Sequence, residues 1–334
     1  DIITPLTPEV IKTILAKHRI KHLDIGSKFG TITAVLKSYN VEITTLRIDT
    51  ECDGRHTNAV FTDSFEIDAT RRDFTINAMS YDSFTQELYD YHDGYEDLKR
   101  KIVRFIGNPE TRIEEDHLRI LRFFRFSDRF AASLDVKSFQ ACVKHKNLIS
   151  KLSNERIISE LNKILSSNTS TNIIQTMISS GIMAAISNQI DWDKELLNKI
   201  NSNYLPLKYA ALMHKTDAKI LRQELNKMRF THSDAISLLE LVNFRKQHPN
   251  IQEYSYQKLK NIFCNLWIDG KEVIYYAEIT EVKHHSHFID ISKLTSNKPP
   301  KLPVNGNDIS ELGIVGKDIG DTIGKLKLLW IEAD

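Results

Sequence analysis

This chain has little of what cross-links or breaks a polypeptide, and little net charge. Its 334 residues include only 3 cysteines, 8 prolines and 12 glycines. Cys52, Cys142 and Cys264 have no CxxC spacing, which argues against a disulfide framework and a structural zinc site. Reduced thiols in a cytoplasm-like compartment are expected instead. No apolar run approaches the roughly 18 residues of a membrane span. Neither sign of charge dominates: 45 Lys and Arg face 44 Asp and Glu, a net charge of +1. A polyanion would therefore be met by local patches, not by bulk charge. Low-complexity segments and internal repeats are missing as well. What remains, 41% hydrophobic and 27% charged, is ordinary globular composition, long enough for two or three domains.

Strand signals gather in the first 100 residues. Gly30 to Leu36 is short, β-branched and apolar, and Val41 to Ile48 follows after Ser38-Tyr39-Asn40, which reads as a hairpin. Thr50 to Asn58 is polar and reads as a mobile loop. From about residue 112, long helical patterns run almost to the end, with basic patches such as Lys208, Lys215, Lys219 and Arg222. The pattern implies a small α/β head followed by an all-helical remainder. A break at residues 296–303 precedes a short C-terminal module punctuated by glycine.

Chemistry-bearing residues concentrate in two runs. Arg71-Arg72-Asp73-Phe74-Thr75-Ile76-Asn77-Ala78-Met79 sets two cations, a carboxylate and an amide before small and apolar residues. An ordinary helix start would explain Asp73 as a cap, but not the adjacent arginines and the Asn. Glu114-Glu115-Asp116-His117-Leu118-Arg119-Ile120-Leu121-Arg122 reads as helix. On it Glu115, Arg119, Arg122 and Arg125 share a face, while Ile120, Leu121 and Phe124 point into a core. A solvated face with i,i+3 ion pairs is the plainer reading of such a run. On the strand at 41–48, period two sends Val41 and Ile43 to one face and Glu42 with Thr44 to the other. Gly26-Ser27-Lys28-Phe29-Gly30-Thr31 is either a plain turn or a loop whose backbone amides approach phosphate. His284-His285-Ser286-His287 lacks a Cys or carboxylate partner at useful spacing and reads as a solvated segment.

Together these runs resemble motifs of the class II CCA-adding enzymes, the tRNA nucleotidyltransferases, and of the related bacterial poly(A) polymerases. Asp90-Tyr91-His92-Asp93-Gly94-Tyr95-Glu96-Asp97-Leu98 is similar to the linker between head and neck in that family. Glu155-Arg156 with Glu160 resembles its neck motif, and the runs from Pro303 and Leu312 resemble its tail. Asp116-His117 and Ile158-Ser159-Glu160-Leu161 lie nearer the CCA-adding branch than the poly(A) branch. The resemblance implies an α+β chain. A polymerase-β-type nucleotidyltransferase head with a small mixed or antiparallel sheet would occupy residues 1–100. A neck (101–165), a helical body (166–250) and a helical, tRNA-binding tail (251–334) would follow.

The implied reaction is template-independent transfer of CMP and AMP from CTP and ATP to the tRNA 3′ end, with Mg²⁺. A poly(A) polymerase, an enzyme adding only A or only C, and an inactive RNA-binding remnant are the alternatives. Asp1 and Glu42 are the implied catalytic, metal-binding carboxylates, with Asp1 as the second residue of an Asp-x-Asp pair. The first Asp of that pair is not in this sequence, so residues 1–334 alone are expected to bind nucleotide and tRNA but to transfer poorly. Lys28 and Arg72 are implied at phosphate, and Asp73 and Asn77 at the ribose or its support. Arg122 joins the nucleotide site, and Lys317 would touch RNA. Asp116 and Arg119 would select the base. A carboxylate accepts from an exocyclic amine and a guanidinium donates to ring acceptors. Cytosine and adenine present that amine, whereas uracil and guanine present a carbonyl.

Overall fold

The computed structural model describes residues 1–24, 26–50, 58–167, 170–254, 258–259, 262–264, 266, 273–281 and 302–333. They form two compact units, Asp1–Ile186 and Ser187–Asp334. The first unit opens with β1 (Ile2–Thr4), α1 (Pro8–Lys17), β2 (Lys21–Leu23), β3 (Thr31–Val35) and β4 (Asn40–Thr45). The strands lie in the order β1-β4-β3-β2. β1 runs parallel to β4, and the β3–β4 and β2–β3 pairs are antiparallel, so the sheet is mixed. Alternation explains its faces. Ile32 and Ala34 are buried against Ile11 and Leu15 of α1, with Val41 and Ile43 packed beside them. The opposite face is left for polar groups.

The strand expected to reach Ile48 stops at Thr45. Fully buried Leu46 leaves the sheet, giving its N–H to the Thr4 carbonyl and accepting from the Thr62 N–H. A separate two-stranded ribbon then forms from β5 (Arg47–Thr50) and β6 (Asn58–Phe61). The polar run expected as a loop thus has its ends in that ribbon, and 51–57 lie outside the described residues.

α2 (Phe65–Thr70), β7 (Ser80–Asp82), β8 (Glu87–Tyr89) and α3 (Gly94–Lys99) lead into α4 (Pro109–Glu115), α5 (Arg119–Phe130), α6 (Val136–Lys144), α7 (Asn154–Leu165), α8 (Ser170–Ser179) and α9 (Ile182–Ile186). An aromatic core joins these parts. Phe74, fully buried, packs with its ring tilted against Phe105 at 4.9 Å and Phe126 at 5.4 Å. Ile120, Leu121 and Phe124 are buried as the helical period required. The helix expected through 115–122 is nevertheless broken. Asp116 is extended (φ −148°), and its Oδ1 accepts the Leu118 N–H at 3.1 Å. That local bond offers the backbone an alternative to helix, as short acidic side chains do. Asp116 therefore sits at a corner between α4 and α5.

The second unit is helical among its described residues. It contains α10 (Leu205–Met213), α11 (Ala218–Lys227), α12 (His232–Gln247), α13 (Val273–Ile279), α14 (Gly306–Glu311) and α15 (Lys317–Ala333). The basic patch read from this region does not survive intact. Lys208 is buried and donates to Asn203 Oδ1, and Lys215 pairs with Asp193. The cause is that α10 is apolar nearly all round and is packed on every side.

Gly94 marks the tightest approach in the first unit. A Cβ there would lie 2.3 Å from the Thr75 carbonyl oxygen. Gly94→Ala should therefore lower the unfolding free energy by roughly 1–3 kcal/mol, the usual cost of forced overpacking. Urea unfolding checks this, and a midpoint equal to wild type would contradict the packing described.

Candidate active site

A cavity of about 620 Å³ opens in the first unit, between the polar face of the sheet and the α4–α5 corner. Asp1, Ile3 and Thr44 line it from β1 and β4, Phe29 and Arg47 from the neighbouring turn and ribbon. Arg71, Arg72, Asp73 and Asn77 line it from the turn after α2, and Glu115, Asp116, Arg119, Arg122 and Phe126 from the helices. The two runs singled out in the sequence thus meet in one place.

Asp73 is their junction. Its Oδ2 accepts from Arg122 Nε at 2.6 Å, and its Oδ1 from Asn77 Nδ2 at 2.9 Å and the Phe74 N–H at 3.0 Å. Burial by itself would raise the Asp73 carboxyl. The Arg122 charge and these three donors outweigh it and hold the carboxyl below the ordinary 3.8. Asp73 does not cap the following turn, whose N-cap Phe74 has no side-chain bond.

Asp68 is the organising group that the sequence reading missed. It is 2% exposed and takes the Arg47 N–H, Arg71 Nε at 2.8 Å and Arg72 Nη2 at 3.0 Å. Arg72 Nη1 also donates to the Asn77 carbonyl at 3.1 Å. The signal was present: Asp68 precedes Arg71 and Arg72 by three and four residues at a helix end. Fixing both guanidiniums to one buried carboxylate sets their orientation before any ligand arrives.

The corner residues are held in a similar way. Both Asp116 oxygens accept from Arg156 Nη2 at 3.0 Å, which gives the Glu-Arg neck segment a direct role in supporting the corner. Arg119 Nη1 donates to Glu115 at 2.6 Å and to the Arg112 carbonyl at 3.0 Å, and Nη2 to the Arg71 carbonyl at 2.9 Å. These bonds use three of the five guanidinium N–H groups, leaving Nε–H and one Nη2–H for a ligand. Arg125, expected on the same face, turns instead to buried Glu160 of α7 at 3.1 Å.

Asp1 and Glu42 are brought together only by register. β1 pairs Ile2 with Ile43 and Ile3 with Thr44, so Asp1 and Glu42 fall opposite each other on the cavity-facing side of the sheet. Glu42 is exposed and stands one step beyond the lining residues. No group of three or more His, Cys, Asp or Glu placed to hold a metal ion occurs among the described residues. Two adjacent carboxylates fit the one or two that an octahedral, partly hydrated magnesium ion takes beside substrate phosphates. Lys28 lies in the turn Ser27–Phe29, but its side chain is outside the described residues, as are His284 to His287. Lys317, exposed at the start of α15, belongs to the second unit.

Residues 1–104 match the family described as Poly A polymerase head domain. Residues 133–192 match the family described as Probable RNA and SrmB- binding site of polymerase A. The mitochondrial CCA tRNA nucleotidyltransferase 1 of Mus musculus is 33% identical over 341 residues, covering 99% of this chain and 78% of that protein. The chain belongs to the CCA tRNA nucleotidyltransferase family. Within that family, the CCA-adding enzyme of Staphylococcus epidermidis is 28% identical over 99% of this chain and 82% of its own length. The fold is shared with the Bacillus stearothermophilus CCA-adding enzyme solved with CTP. That match has a TM-score of 0.76 and 23% identity, and covers 99% of this chain and 83% of that one. No described helix is long and apolar enough to cross a membrane.

The Asp73 pairing predicts an acid-sensitive contribution to stability. Because its folded pKa lies below the unfolded 3.8, the contribution is complete above that value and is lost as pH falls through the folded pKa. The stability gap between wild type and Asp73→Asn should therefore be constant from pH 7 to about 5 and close at lower pH. Urea midpoints across that range test it, and a gap that stays open in acid would contradict the pairing.

Proposed function

We infer that this chain is a nucleotidyltransferase that adds CMP and AMP from CTP and ATP to the 3′ end of tRNA. The observation that carries the reading is the single cavity lined by both the Arg71–Asn77 turn and the Asp116–Arg122 corner. Its family relatives are named for this reaction, and they do not favour a poly(A) polymerase or a non-catalytic remnant.

In this reading the nucleotide's parts divide among the lining residues. Arg72 meets the phosphates. Asp73 and Asn77, already bonded to each other and to Arg122, present a fixed polar surface to the ribose. Asp116 keeps acceptor capacity beyond Arg156, since a carboxylate offers about four lone-pair sites. It would accept the amine of cytosine or adenine while the open edge of Arg119 donates to the ring. A uracil or guanine carbonyl would face the carboxylate unpaired, which is costly in a partly desolvated site. Magnesium held by Asp1 and Glu42 would align the triphosphate and lower the pKa of the attacking hydroxyl. Lys28 would add a phosphate contact and Lys317 an RNA contact. Residues 1–100 act as head, 101–165 as neck, 166–250 as body and 251–334 as tail. The sparse cysteines suit a cytoplasmic location, and cell fractionation would decide between that and the mitochondrion named for the vertebrate relatives.

The test supplies tRNA lacking its 3′ end with each nucleotide singly, to wild type and to the Asp116→Ala/Arg119→Ala double variant. Whatever the rate of transfer by residues 1–334, wild type should use CTP and ATP only. The double variant should lose about 1–3 kcal/mol of discrimination against UTP and GTP, with triphosphate affinity less affected. Selection unchanged in the double variant would refute the base-reading assignment.

A further inference from the structure

Arg112 lies outside the two runs and outside the cavity lining, yet the corner's base-facing groups lead back to it. Its Nη1 donates to the Thr70 carbonyl at 3.0 Å and its Nη2 to Glu115 Oε1 at 2.5 Å. Its own carbonyl accepts from Arg119 Nη1 at 3.0 Å, and Glu115 Oε2 accepts from that same nitrogen at 2.6 Å. Arg119 Nη2 then reaches the Arg71 carbonyl at 2.9 Å. Two guanidiniums thus clip successive carbonyls at the end of α2, groups a helix end leaves without intrahelical partners. They also hold Glu115 between them.

We propose that Arg112 is a specificity-determining positioning residue, which fixes the ligand-facing edge of Arg119 through Glu115 and the Thr70 carbonyl. Its side chain is 17% exposed and that of Glu115 is 24%, so these charge-assisted bonds act in a partly desolvated setting. Without the Arg112 side chain, Glu115 can swing, and only the Arg112 and Arg71 carbonyls are left to hold the Nε–Nη2 edge of Arg119. The bonds among Asp68, Arg72, Asp73 and Arg122 do not pass through Arg112, so phosphate and ribose binding are spared. The loss falls on the choice of base. The proposal rests on the reading that Asp116 and Arg119 select the base.

The test is equilibrium binding of CTP, ATP, UTP and GTP to the whole chain, with thermal unfolding alongside. It is run on wild type, Arg112→Gln, Arg112→Lys, Glu115→Gln and the Gln/Gln double variant. Arg112→Gln should lower the CTP-over-UTP affinity ratio about tenfold while CTP affinity falls less, and the double variant should be no worse than the poorer single one. Arg112→Lys, which keeps charge but loses the fork, should lower the ratio about threefold. It decides the matter alone if Arg112→Gln does not fold. An unchanged ratio with a lowered unfolding temperature would overturn the proposal and leave Arg112 a structural clasp. A wild type that binds all four nucleotides equally would sink the base-selecting reading itself, and this proposal with it.

Discussion

The site depends on the pair between Asp73 and Arg122, 49 positions apart in sequence. One residue follows the α2 turn and the other lies on α5. Their contact at 2.6 Å turns two separate segments into opposite walls of one cavity. Removing one partner alone destabilises the fold, because it leaves the other charge buried and unpaired, but against a well-packed apolar pair the gain is small, since desolvating two charges offsets most of their attraction. Its value lies in geometry. Phe74, the next residue along, is buried in the aromatic core, so the carboxylate stands on an anchored backbone. Sequence order explains this: a polar residue aimed at the cavity adjoins an apolar one aimed at the core.

The same device recurs around the cavity. Asp68 holds Arg71 and Arg72, Glu115 holds Arg112 and Arg119, Arg156 holds Asp116, and Glu160 holds Arg125. A net charge of only +1 is consistent with a site built this way. The cationic groups are compensated and oriented in advance, so a triphosphate would meet fixed donors instead of mobile ones. Each guanidinium has five donors in a fixed fork, which lets one edge be anchored while another stays open.

Much of this was legible in the sequence, for identifiable reasons. Period two correctly separated Val41 and Ile43 from Thr44, and the helical period correctly buried Ile120, Leu121 and Phe124. What failed was local competition. A helix drawn through 115–122 ignored the capacity of Asp116 to bond the Leu118 N–H and turn the chain. A strand drawn to Ile48 ignored the burial of Leu46, whose backbone bonds lead to Thr4 and Thr62. Asp68 was passed over because a single Asp in a short helix looks like surface. Its burial comes from the packing of α2 against β5, which no local pattern reveals.

If the Arg71–Asn77 turn and the Asp116–Arg122 corner act as one nucleotide site, their contributions to binding must be coupled. A double-mutant cycle on Asp73→Asn and Arg122→Gln, read as CTP affinity, tests it most directly. The account predicts that each single variant weakens binding and that the double is little worse than the poorer single, a coupling of about 0.5–3 kcal/mol. Effects that simply add, to within roughly 0.3–0.5 kcal/mol, would mean that the two walls bind independently and would contradict it.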